Sequence, residues 1–179
     1  MNRELKIVKF NRLRKLGLIP NTLRSLLETY PNKLWNWESI SSNPNIDLSY
    51  VLDHPEWAWS HSALSRNMGI TLQEILDHPE VGWHWDNVSL NVNIGIDIIV
   101  TRPDLPWNWD NVSQRRDLRI KYLIEHPELP WDWIYVTLNL NISFADMEAH
   151  PEMKWNSLGL RIRHTTDELI KASDKSGGT

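Results

Sequence analysis

The chain has 179 residues, with 19 Lys and Arg against 23 Asp and Glu, and it contains no cysteine. That length suffices for one domain with a real core, and the missing cysteine excludes a disulfide framework, a zinc–thiolate site and a cysteine nucleophile. No stretch approaches the roughly 18 apolar residues that a membrane helix needs, so the expectation is an intracellular protein without membrane contact.

The N-terminus is basic. Arg3, Lys6, Lys9, Arg12, Arg14 and Lys15 face Glu4 alone, a sum of +5, which leaves about −9 for the remainder. The segment is amphipathic but lacks the apolar centre of a signal peptide. A solvated first helix is the default reading; a docking arm for an acidic partner, nucleic acid or a membrane surface is the alternative. Pro20-Asn21 then opens a short apolar pattern, Leu23, Leu26 and Leu27, read as a capping helix. Residues 1–30 thus form a basic segment and cap.

From Pro31 the chain is periodic. Pro31, Pro55, Pro79, Pro103, Pro127 and Pro151 recur every 24 residues, and a tryptophan follows each by four: Trp35, Trp59, Trp83, Trp107, Trp131 and Trp155. Trp37, Trp85, Trp109 and Trp133 follow by six. A fixed period of this size marks a repeat array, assigned to residues 31–164. Each unit divides in two. Helix A is expected to start at the Trp pair, where Pro106 and Pro130 suit a first helical position. It would end at the column Ser41, Ser65, Ser89, Ser113 and Thr137. Asn45, Asn93, Asp117 and Asn141 are expected to cap helix B, with apolar columns at Val51/Ile75/Ile99/Leu123 and Leu52/Leu76/Val100/Ile124 at helical spacing. Thr166 to Ala172 reads as a last helix within a C-terminal cap and tail at 165–179.

Helices of about eight residues are marginal alone in water and must pack on their neighbours. Trp107 and Trp109, two positions apart, would point to nearly opposite sides of one helix. The fold class expected is therefore all-α, an α-solenoid of about six two-helix repeats with capping helices. A leucine-rich repeat is disfavoured, because its LxxLxLxxN spacing is missing.

Chemistry-bearing residues also keep the period. His54, His78, His126 and His150 precede the register prolines, and Glu56, Glu80, Glu128 and Glu152 follow them. Equivalent residues of packed helices lie about 8–10 Å apart, too far to share a zinc ion at about 2 Å. A helix-end role is expected instead, the His ring bonding free carbonyls. The Trp columns are read as core rather than as a base-stacking ladder. Departures from the repeat are the candidate contact residues: Arg102, Arg115, Arg116, Arg119 and Lys121 in the fourth repeat, and Trp57, either an exposed anchor or a filler for the gap left by His61. No P-loop, dinucleotide-binding, HExxH or GxSxG motif occurs; no catalytic residue, metal or cofactor is expected.

The HPE triplets at 54–56, 78–80, 126–128 and 150–152, the Trp-x-Trp pairs and the link SSNPNI at 41–46 resemble tandem Trp-x-Trp repeat proteins of giant DNA viruses. The resemblance spans residues 20–161 and implies no activity. It suggests a viral protein in host cytoplasm or in the virion. The functional expectation is a non-enzymatic scaffold binding a protein partner, with capsid or other virion proteins as candidates. The alternatives are a virion structural component, and a nucleic-acid binder using the basic arm and the fourth-repeat arginines.

Overall fold

The computed structural model describes residues 22–163. Among them every regular element is helical and there is no strand. The chain divides into two compact units, residues 1–93 and 94–179. The basic arm, Arg3 to Lys15, and the expected C-terminal helix lie outside the described residues.

The first unit contains α1 (Thr22–Thr29), α2 (Trp37–Ser41), α3 (Leu48–Asp53), α4 (His61–Ser65), α5 (Leu72–Asp77), a 3-10 turn (Pro79–Val81) and α6 (Trp85–Val88). The second contains α7 (Ile96–Thr101), α8 (Trp109–Ser113), α9 (Ile120–Glu125), α10 (Trp133–Leu138) and α11 (Phe144–Ala149), followed by helical residues 157–163. Helix α1 forms over the Leu23, Leu26 and Leu27 pattern and buries Leu27. Within each unit helix A packs on the next helix A: α2 on α4 and α4 on α6 in the first, α8 on α10 in the second.

Helix A is shorter than its sequence pattern suggests, at four to six residues. It begins at the second Trp column, because the residue between the two columns is the N-cap. The Asn36, Ser60, Asn108 and Asp132 side chains each accept a first-turn N–H, satisfying an otherwise orphan donor. Trp107 and Trp109 therefore do not share a helix. Trp107 lies in the lead-in, where its N–H reaches back two residues to the Leu105 carbonyl at 2.8 Å. Pro106 is the centre of that tight turn rather than a first helical residue, and its fixed φ suits such a turn. Trp131 repeats the arrangement over Pro130. In the third repeat Gly82, at φ 75°, replaces it with a left-handed residue, a conformation that favours glycine.

The caps of helix B also differ from expectation. They fall two residues later than the Asn column, at Asp47, Thr71 and Ser143, each accepting a first-turn N–H. The backbone N–H groups of Asn45, Asn93 and Asn141 instead bond Oδ1 of Asn43, Asn91 and Asn139. Asp117 caps a helix, but not its own. Its carboxylate accepts the Ile96 N–H that opens α7, at 3.1 Å, where Gly95 has no side chain to offer.

Within each unit, two polar columns tie a repeat to the one before. The Ser41, Ser65, Ser113 and Thr137 hydroxyls accept the backbone N–H 19 residues later, at 2.9–3.0 Å. The Asn67, Asn91 and Asn139 amides donate to carbonyls 24 and 26 residues earlier. All these side chains are buried, so the bonds answer a desolvation cost that water cannot. Close approach follows: a Cβ on Gly69 would lie 2.8 Å from the Pro44 carbonyl oxygen. Serine 113 offers a direct test. Ser113→Ala leaves the Asp132 N–H without its acceptor and should cost about 1–3 kcal/mol in urea denaturation, whereas Ser113→Thr, matching Thr137, should be close to neutral.

The core lies between these columns. Val51, Ile75, Ile99 and Leu123 of helix B are buried, as are Ile46, Ile70, Ile94, Leu118 and Ile142 of the links. The next helix B column is only partly inside: Val100 is buried, but Leu52 and Ile124 are exposed.

Candidate interaction surface

The residue before each register proline closes helix B. His54, His78, Arg102, His126 and His150 take φ between −132° and −126°, outside the helical region that a following proline disfavours. Each carbonyl then accepts the indole N–H of the Trp five residues on, at 2.7–2.9 Å. Here the expected role of the His rings needs correcting. Their Nδ1 atoms face the glutamate two residues later, at 2.9–3.6 Å, and the helix-end carbonyl is taken by tryptophan. In the fourth repeat Arg102 and Asp104 reproduce the pair through two bonds of 2.9 and 2.8 Å. Hydrogen bonding from Arg102 holds the Asp104 carboxyl below its ordinary value. Among the described residues, no three His, Asp or Glu side chains converge in a way that could hold a metal ion.

The tryptophans meet edge to face. Trp37 and Trp59, Trp109 and Trp131, and Trp133 and Trp155 have ring centroids 5.1–5.5 Å apart and interplanar angles of 77–86°. That geometry is favourable for aromatic packing and presents no parallel platform for nucleic-acid bases. Trp57 is half-buried. It stacks on His54 at 4.2 Å and also touches Trp37, Trp59 and Tyr50, so it belongs to an aromatic cluster.

The fourth-repeat cations do not form one patch. Arg102 is held by Asp104. Arg115 is buried and occupies the same column as Asn67, Asn91 and Asn139. It donates to the Ile94 carbonyl at 2.7 Å and to both oxygens of Asp117 at 2.8 Å. As a surface contact residue Arg115 is thus a correction: it replaces a structural asparagine. Asparagine in this column also accepts an N–H two residues on; arginine has no acceptor, and the Asp117 carboxylate takes its guanidinium instead. Lys121 is exposed and lies over the Tyr122 ring, 4.4 Å from its centroid. Arg116 and Arg119 are exposed.

Burial raises the Asp117 carboxyl, but bonding and charge from Arg115 outweigh it and leave the group below its ordinary value. A depressed folded-state pKa contributes stability above the unfolded value, about 3.9, and loses it as pH falls through the folded value. Urea denaturation across pH 2–7 should therefore show an acid decline that is shallower in Asp117→Asn than in wild type. An identical decline would remove Asp117 from the acid limb.

Comparisons with protein-family models, with curated proteins and with solved structures find no significant match for this chain.

Proposed function

We propose that the protein is a non-enzymatic α-solenoid scaffold that binds a protein partner. The observation that carries this reading is the recurrence of the same inter-repeat bonds in both units, at separations of 19, 24 and 26 residues. Side chains able to do chemistry are spent on architecture: serine and asparagine on stitching, histidine on local pairs, tryptophan on packing. In such arrays the consensus positions maintain the repeat, and the departures supply specificity. No cofactor is needed. The resemblance to giant-virus repeat proteins favours host cytoplasm or the virion as the site of action, with virion proteins as partners.

The test is nuclease-treated affinity capture of the full chain from its native cell, quantified by mass spectrometry. A stoichiometric protein that survives nuclease supports the scaffold. Loss of every stoichiometric partner, with binding to oligonucleotides that falls steeply with salt and disappears when residues 3–15 are deleted, would replace it with the nucleic-acid reading.

A further inference from the structure

Building on the scaffold reading, we infer that a groove in the second unit binds a peptide segment of the partner, an apolar anchor flanked by carboxylates. The groove runs along the link that follows α10. It has a volume of about 540 Å³, and Gln114, Arg116, Tyr135, Leu138 and Leu140 line it. Its floor is apolar, and Leu140 is 82% exposed. A single exposed leucine is ordinary; one beside Leu138 and Tyr135 in a concavity is an anchor site.

The charge at the rim identifies the flank. Residues 22–163 hold 11 Lys and Arg against 19 Asp and Glu, so a cation in this body has carboxylates to choose from. Arg24, Arg66, Arg102 and Arg115 each face one, at 2.5–3.7 Å. Arg116 and Arg119 face none among the described residues. Arg119 donates to the Arg116 and Leu118 backbone carbonyls at 2.8 and 2.7 Å and does not line the groove, which leaves Arg116 as its cation. The position of Arg116 is Pro44, Met68, Val92 and Leu140 in other repeats, so the repeat itself requires no charge there. The Arg116 guanidinium, without a carboxylate and lining an apolar groove, complements a ligand that carries both missing parts. A nucleic-acid strand fits less well, since the lining lacks stacked rings and the surroundings are acidic.

The experiment selects a displayed library of random 12-residue peptides on the purified full chain and measures the winners by fluorescence polarisation. Enriched peptides should pair a large aliphatic or aromatic residue with Asp or Glu within three positions. Their affinity should fall at least tenfold in Arg116→Glu and in Leu140→Asp, with circular dichroism melts unchanged; Arg116→Gln and Leu140→Ser give the same reading with less perturbation. No enrichment, enrichment without that pattern, affinity indifferent to all four substitutions, or displacement of the peptide by a 20-nucleotide single strand would each overturn the assignment. A cellular partner that ignores these substitutions would end the groove assignment and leave the scaffold standing. Groove-binding peptides without any stoichiometric cellular partner would count against the scaffold alone.

Discussion

Asn67→Asp should be among the most destabilising substitutions in the first unit, costing about 4 kcal/mol or more. The Asn67 amide is fully buried, and its Nδ2 faces the carbonyls of Ser41, Asn43 and Ile46 at 2.8, 3.0 and 2.9 Å. An amide nitrogen has two hydrogens, so two protons serve three acceptors. Aspartate is nearly the same size, but it turns the donor into a charged acceptor pointing at three other acceptors. The Oδ1 bond from the Gly69 N–H, at 2.8 Å, can survive the change and cannot offset it. Asn67→Leu removes the donors without adding charge and should cost less. Urea denaturation followed by far-UV circular dichroism checks both. A loss below about 1 kcal/mol for the aspartate would mean that the amide contributes little to cohesion, since whole domains hold only about 5–15 kcal/mol.

Trp131→Ala should cost about 3–5 kcal/mol, the range for truncating a buried aromatic. Trp131 is 5% exposed, meets Trp109 edge to face at 5.2 Å and donates its indole N–H to the His126 carbonyl at 2.9 Å. Phenylalanine separates the contributions. Trp131→Phe keeps a ring but removes the indole donor from the His126 carbonyl, which retains the Leu129 N–H at 3.3 Å, a loss of about 0.5–1.5 kcal/mol. Near-UV circular dichroism should report the disruption of the Trp109 contact in the alanine variant. Equal stability of the alanine and phenylalanine proteins would assign the whole effect to the hydrogen bond.

The period, the helical class and the α1 helix were legible because they depend on residue type at fixed spacing. Val51, Ile75, Ile99 and Leu123 fall on the expected buried face for the same reason. Boundaries were less legible. The sequence shows Trp-x-Trp as one motif, but the cap between its members separates them, and hydrogen-bond direction is not written in composition. Ser41 was visible as a column, whereas the Asn67 column was not singled out; the partners of both are backbone groups, which every residue has, so no sequence signal identified them. Arg115 misleads for a related reason. A charge that departs from a repeat reads as surface, yet here Asp117, two residues on, makes its burial tolerable. Arg116, next to it, was legible as exposed, but not its place at the rim of a groove, because Tyr135 and Leu140 lie in the following repeat.

The asparagine and serine columns have a direction. In each, the donor comes later in the chain than the acceptor, by no more than 26 residues. During synthesis, each emerging repeat within a compact unit thus finds its acceptors already made on the repeat before. Short-range closure of this kind favours fast folding, and a chain growing from its N-terminus orders its parts in the sequence they appear. Within each unit, assembly can then follow synthesis one 24-residue step at a time.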